Sequence, residues 1–384
     1  MRFLHLADLH LGKQLNGYSL VEDQAYILKR IVALAQEYAV DAVLIAGDIY
    51  DRALPSADAV ELLDTFLTDL STANITAIAI PGNHDSAQRL SYGAELLAAQ
   101  NIYLARPYTG ALHPITLTDA YGDVIIWPIP FMRPAQIRPY HDDEEFGSDY
   151  SAALKAMLAT APFNPEARNV ALVHQLVVSG SLSPEMSDSE ITLGTLEAVD
   201  ASVFDQFDYV ALGHIHRPQR IGRDTMRYAG SPLKYSASEA RYPKSAVLVD
   251  MKEKGTLTCE LLPLTPLHDV RVITGPLHEL VAPEVIRAGD THDYVYAQIT
   301  DDTLPLNAQT ELRQAYPNLI GLEHRILATT FDAEQPLVVQ PTEMRDPLTL
   351  FEQFYFGQNQ CELTDDERSI VIEALSETCH QDHS

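Results

Sequence analysis

Five times in this chain a short apolar run stops abruptly and gives way to residues that can bind a metal or move a proton. Ile75 to Ile80 is the clearest case: Pro81 and Gly82 end it, and Asn83, His84 and Asp85 follow. The run reads as a buried strand and the Pro-Gly as its stop. Arg2–Ala7 leads in the same way to Asp8-Leu9-His10. Ala42–Ala46 leads to Gly47-Asp48-Ile49-Tyr50-Asp51-Arg52, Val170–Val173 to His174, and Asp208–Leu212 to Gly213-His214-Ile215-His216. Open α/β folds place their ligands at the carboxyl ends of strands. Each tip alone reads equally well as a turn, a helix cap or a structural histidine. Five together are a designed edge.

What lies between the runs fits. Val21–Tyr38 carries Ile27, Ile31, Leu34 and Ala35 at helical spacing. Pro55 and Ser56 open a helix over Ala57–Leu70, with Val60, Leu63, Phe66, Leu67 and Leu70 as its expected inner face. The first hundred residues therefore read strand–helix three times over, an α/β pattern. Further strands are expected at Ile102–Leu104 and Val124–Ile129, a helix at Tyr150–Thr160, and an acidic loop over His141–Asp149. Arg220–Ile221, Met226–Ala229, Ala246–Asp250 and Leu257–Leu262 read as strands of a second sheet. Gly47 lets the backbone turn closely, leaving Asp48 at a strand tip. An extended Asp8-x-His10 would point both side chains one way, and so would His214-x-His216.

Composition narrows the function classes. At 384 residues and 46% apolar content the chain has two or three domains with a large core. Three scattered cysteines, Cys259, Cys361 and Cys379, predict a reducing compartment and no disulfide framework. With no run long enough to cross a bilayer and no signal peptide, the expected location is the cytoplasm, with no membrane association. The net charge of −28 sits awkwardly with nucleic acid, whose binders carry a basic footprint. Either the ligand is not a polyanion, or metal ions and a partner supply the positive field.

The tips supply oxygen and imidazole nitrogen without thiolate: Asp8, His10, Asp48, Asn83, His174, His214 and His216, with His84 beside them. Such a set suits manganese, iron or zinc, and a water-exchanging octahedral site favours manganese. There are too many donors for one ion, and a pair of divalent ions sharing a carboxylate is a clamp for phosphoryl transfer.

Asp8-x-His10, Gly47-Asp48-x-x-Asp51, Gly82-Asn83-His84-Asp85, His174 and Gly213-His214-x-His216 resemble, in order, the five motifs of the calcineurin-like metallophosphoesterases. Outside them, His10-Leu11-Gly12-Lys13, Ser187-Asp188-Ser189-Glu190, His216-Arg217-Pro218-Gln219 and Gly230-Ser231-Pro232-Leu233-Lys234-Tyr235-Ser236 resemble the SbcD family, the nuclease subunits of bacterial SbcCD complexes. The resemblance implies an αββα sandwich of two mixed sheets over residues 1–265, a small α/β capping domain over 266–330, a linker over 331–346 and a helical tail over 347–384. It implies that Asp8, His10, Asp48 and His216 hold one ion, and that Asp48, Asn83, His174 and His214 hold the other. His84 would serve the leaving group and Asp51 would orient it. The implied activity is a metal-dependent DNA nuclease, an exonuclease on duplex ends and an endonuclease on single strands or hairpins. Its implied partners are an SbcC-like coiled-coil ATPase, docked on the aromatic tail (Leu348–Phe356 and Thr364–Thr378), and a second copy of the chain within a heterotetramer. Lys13, Arg52 and Arg89 are candidate contacts to the scissile phosphate, or solvated surface charge. A metallophosphoesterase acting on a small nucleotide or a phosphoprotein is the alternative, and the complete donor set argues against a degenerate binding scaffold.

Overall fold

The structure is a computed structural model. It describes residues 1–141, 146–190 and 197–325, with Leu348, Phe351, Tyr355, Leu363, Thr364, Glu367, Arg368 and Val371 beyond them. The linker over 331–346 and nearly all of the tail lie outside the described residues, as do residues 142–145 of the acidic loop. Residues 1–326 form one compact unit and 327–384 another.

Within the first unit two six-stranded sheets face each other. The first contains β1 (Arg2–Leu6), β2 (Ala42–Ala46), β3 (Thr76–Ile80) and β4 (Ile102–Leu104), all parallel. The second contains β5 (Ile115–Asp119), β6 (Gly122–Ile129), β7 (Arg168–His174), β8 (Tyr209–Gly213), β9 (Gln219–Ile221) and β10 (Arg223–Tyr228), in the order β9-β10-β8-β7-β6-β5. In the second sheet β6, β7, β8 and β10 run parallel, with antiparallel β5 and β9 at the edges. The sequence pattern places the next two strands in the second sheet as well. Instead β11 (Lys244–Met251) and β12 (Leu257–Leu264) return to the first and complete it as β12-β11-β1-β2-β3-β4. The reason is pairing that local pattern does not encode: β11 lies antiparallel to β1, with Phe3 opposite Val249 and His5 opposite Val247.

Strand alternation builds two cores. Phe3, Leu44, Ile78 and Ile80 face Ile126, Val170, Leu172 and Tyr209 across the sandwich. Leu4, Leu6, Val43 and Ile45 face the other way, under α1 (Val21–Glu37) and α2 (Ala57–Thr72). Ser56 caps α2, its hydroxyl accepting from the Ala59 N–H. Leu63, Phe66, Leu67 and Leu70 are buried as expected, but Val60 is 47% exposed and points away from the core. Between the sheets His5 bridges the Tyr209 hydroxyl (2.9 Å) and the Leu212 carbonyl (3.1 Å). Burial lowers its pKa to about 3, so it is a neutral crosslink.

A third sheet, all parallel, follows: β13 (Val270–Gly275), β14 (Tyr294–Ile299) and β15 (Leu319–His324). It has its own core around Val295, Ala297, Leu312 and Tyr316. Asp23 on α1 ties it to the body, accepting from the His268 N–H (3.1 Å) and the Tyr294 hydroxyl (2.9 Å).

Candidate metal centre

The carboxyl ends of β1, β2, β3, β7 and β8 meet along one edge of the sandwich, and all seven predicted ligands gather there. Asp8, His10, Asp48, His174 and His216 are buried. They converge on two neighbouring points. At the first, His10 Nε2 lies 3.1 Å from His216 Nε2 and 3.7 Å from an Asp48 oxygen, and Asp8, His10 and His216 offer ligand atoms within 4.8 Å of one another. At the second, Asn83 Oδ1 sits 2.9 Å from His174 Nε2 and 3.1 Å from His214 Nδ1. His174 Nε2 is also 3.4 Å from Asp48 Oδ2. Asp48 faces both points.

The backbone at these tips is not extended. Asp8 (φ 53°), His10 (φ 44°), Asp48 (φ 49°) and His214 (φ 95°) all carry positive φ. Non-glycine residues in this region cost about 1–3 kcal/mol each and cluster at functional sites. The strand alternation expected for Asp8-x-His10 is therefore replaced by a tight turn. Hydrogen bonds from Asp8 N–H to the Gly47 carbonyl (3.0 Å) and from His10 N–H to the Asp48 carbonyl (2.9 Å) hold it. His214 and His216 do not share a side as an extended pair would: one ring goes to Asn83, the other to His10. Gly47 has φ 87°, and a Cβ there would fall 2.2 Å from His174 Nδ1, so the close turn read from the sequence also makes room for the imidazole.

Each donor is aimed by a neighbour. His174 Nδ1–H donates to the Ala46 carbonyl (2.7 Å), leaving Nε2 free to ligate. The His214 N–H donates to Asp8 (2.9 Å) and the His84 N–H to Asp48 Oδ1 (2.9 Å). Burial pushes the Asp8 carboxyl up to about 6. Burial also works against the Asp48 carboxylate, but His174, His10 and His84 hold it well below the usual range. Burial pulls His174 down, yet Asp48 and Asp8 outweigh it and raise the ring to about 9. His10, by contrast, is lowered by burial to about 4, and His214 to about 3. Two buried imidazole nitrogens, His10 Nε2 and His216 Nε2, face each other beside two carboxylates. A divalent cation at each point fits this donor set.

His84 stands beside the first point, its ring 4.9 Å from that of His10. Its orientation differs from expectation: His84 Nδ1 donates to the backbone carbonyl of Asp51 (3.0 Å), not to the carboxylate. The Asp51 carboxylate instead takes the Lys13 ammonium (2.8 Å) and sits 3.5 Å from His10 Nδ1. Lys13 is thus engaged; Arg52 also reaches Asp51, its Nε 3.6 Å from Oδ2, though its side chain is 80% exposed, and Arg89 is exposed.

Three supporting residues carried no assigned role in the sequence. Asp85 accepts the N–H groups of Ile49 (3.0 Å), Tyr50 (2.9 Å) and Gly82 (2.9 Å), clasping the loop after β2 to the loop after β3. Gln24 on α1 donates to the His10 carbonyl (2.8 Å) and accepts from the Gly12 N–H (2.9 Å). Phe131 walls the second point, its ring 6.3 Å from His174 and 6.5 Å from His214. Asp85 belongs to the Gly-Asn-His-Asp run, which was the one signal for it; Gln24 and Phe131 have none.

Residues 1–218 match the family model of the calcineurin-like phosphoesterases, and residues 266–359 match SbcD_C, described as the type 5 capsule protein repressor C-terminal domain. Over 358 residues, 92% of this chain and 92% of its relative, the chain is 32% identical to the SbcD component of the SbcCD nuclease of Staphylococcus saprophyticus. The chain belongs to the SbcD family of calcineurin-like phosphoesterases. Solved structures similar to this SbcD-family chain include a dimetal phosphatase from Danio rerio (14% identity, 69% of this chain and 98% of that one, TM-score 0.39). A protein of Thermus thermophilus is alike to the same degree (15% identity, 68% and 98%, TM-score 0.39). Among the described residues no helix is long and apolar enough to cross a membrane.

Proposed function

We propose that this chain is a manganese-dependent DNA nuclease, cutting duplex ends as an exonuclease and single strands or hairpins as an endonuclease. It would act with an SbcC-like coiled-coil ATPase in DNA repair, recombination and replication. The observation that carries the reading is the convergence of seven oxygen and nitrogen donors, from five strand ends, on two adjacent points that share Asp48. The kinship to a nuclease component along 92% of the chain supplies the substrate class.

Asp8, His10, Asp48 and His216 would hold one ion, and Asp48, Asn83, His174 and His214 the other. Such a pair supplies Lewis acidity toward a phosphodiester and a nucleophile at neutral pH. With its Nδ1–H tied to the Asp51 carbonyl, His84 in its imidazolium form would carry a second proton on Nε2, which can pass to the departing oxygen and leave the ring neutral. Lys13 neutralises Asp51 beside that ring. Arg52, which shares Asp51 with Lys13, and Arg89 are both exposed and would meet the flanking phosphates, a small positive element in an acidic chain.

Residues 1–265 would be the nuclease body, 266–330 the cap, 331–346 a linker and 347–384 the tail that docks the ATPase. A second copy would pair through the early helices and the turns beside them, where Leu54, Val60, Tyr92 and Leu96 leave large apolar side chains exposed. A soluble cytoplasmic assembly is the expected setting. The test is cleavage of a labelled hairpin duplex with manganese, with and without the ATPase and ATP, beside a chromogenic phosphodiester. Manganese-dependent cleavage enhanced by partner and ATP supports the reading. Turnover of the small diester with no cleavage of DNA under any condition points to a small-molecule phosphoesterase.

A further inference from the structure

Behind the His216 ring lies a second, buried polar cluster that the ligand set does not explain. Its centre is Glu239, fully buried in the short turn Ala237–Arg241. Glu239 Oε1 lies 3.2 Å from His216 Nδ1 and accepts the Ser189 hydroxyl at 2.8 Å. Glu239 Oε2 accepts from the Lys244 ammonium, itself 4% exposed. The remaining Lys244 protons go to Ser231 Oγ (2.7 Å) and the His216 carbonyl (2.9 Å). The backbone N–H of His216 donates to Glu190, which closes the Ser187–Glu190 stretch over the ring.

A buried ion pair is commonly no better for stability than a well-packed apolar pair. This one is fully hydrogen-bonded and makes direct contact with a single imidazole, so its use is to be sought there. With Nδ1–H given to Glu239, the ring has one tautomer. Nε2 is bare and faces His10 Nε2 across 3.1 Å. A carboxylate on the far nitrogen fixes the ring and raises its basicity as a ligand. Lys244 in turn lies against that carboxylate and, with the Ser189 hydroxyl, fixes where it stands.

We propose that Glu239 is a positioning residue for the ion shared by Asp8, His10 and His216, held in place by Lys244 and Ser189, and that it sets the affinity of that ion alone. The inference rests on the proposed ligand role of His216. The Ser187–Glu190 and Gly230–Ser236 runs thereby gain a purpose: they shape the socket for one carboxylate.

The test is a titration of the full chain with Mn2+, followed by electron paramagnetic resonance of the free ion, for wild type, Glu239→Gln and Glu239→Gln/Lys244→Met. Wild type binding two ions is required; fewer would remove the ligand reading itself. Glu239→Gln is expected to weaken one ion about 10- to 100-fold and leave the other unchanged. The double variant, which abolishes the unpaired lysine charge, is expected to stay weak at the same ion. Two ions bound at wild-type affinity by Glu239→Gln, or full recovery in the double variant, would overturn the proposal, the latter by showing that Glu239 serves only to neutralise Lys244. If neither variant folds, histidine-selective 15N spectra of the Zn2+-loaded wild type decide: a protonated Nδ1 on His216 is expected, and a bare Nδ1 refutes the role.

Discussion

Replacing Gly213 by alanine tests how closely the two sheets must approach to make the centre. The Gly213 φ is not positive, so the substitution introduces no backbone strain. Its whole effect is steric. A Cβ at this position would lie 1.8 Å from the Ala46 carbonyl oxygen and 2.8 Å from His174 Nδ1. Cβ contacts under 3.0 Å essentially never occur, so the ends of β8 and β2 must part by about 1.2 Å, an overpacking that costs about 1–3 kcal/mol. The same carbonyl accepts the His174 Nδ1–H at 2.7 Å, and losing that bond adds about 1 kcal/mol. The stiffer unfolded chain returns about 0.4–1 kcal/mol. Gly213→Ala should therefore destabilise the protein by about 1–4 kcal/mol in urea denaturation. His174 moves with the strand, and a proposed ligand displaced by about 1 Å should lower metal-dependent phosphodiester hydrolysis on the order of 100-fold. A variant with wild-type denaturation midpoint and wild-type turnover would show that the sheets tolerate the extra atom and that the spacing is not what holds His174.

Three further outcomes follow from the same geometry. His84→Ala should bind two metal ions as wild type does, with turnover lower by about 10²–10⁴-fold; equal activity would remove the proton-transfer role. Asp85→Ala strands three N–H groups and should cost about 3–5 kcal/mol in stability, with parallel loss of metal affinity as the Asp48 and Asn83 loops separate; calorimetry and ion titration read both. In the metal-free chain His174 titrates near 9 rather than 6.5. The stability it contributes is complete below pH 6.5 and lost as pH rises through 9. Metal affinity should rise across the same interval because the ring sheds its proton to ligate, and a metal affinity independent of pH from 6.5 to 9 would contradict this.

The strand tips were legible because burial and chemistry coincide at them: an apolar run that ends at Asp8, Asp48, Asn83, His174 or His214 signals its own boundary. Pairing was not. Nothing near Ala246–Asp250 says that its partner is β1 and not the neighbouring β10, since register between distant strands is a property of the assembled sandwich. Val60 matched the helical stripe in spacing yet faces outward, because a period identifies a face only to within a residue or so at its margin. Asp51 was read as a carboxylate beside an imidazole, but its backbone carbonyl does that work, and main-chain contacts leave no trace in residue type. Glu239 sits in a serine-rich turn with no periodicity, far in sequence from the histidine it supports.

The return of β11 to β1 has a consequence for how the chain is made. Arg2 and Asp250 are 248 residues apart, yet they are neighbours in the first sheet. At about 5–20 residues per second of synthesis, β1 waits roughly 10–50 s for this partner. Throughout that wait an apolar strand edge lies open beside the nascent Asp8 turn, and open edges invite pairing with other chains. The centre cannot close on a half-made protein: His216 and the Glu239 socket emerge near the end of the same interval. Metal acquisition is thus a late event in the life of the polypeptide, and truncated products ending before β11 should be found in aggregates or bound to chaperones rather than as active fragments.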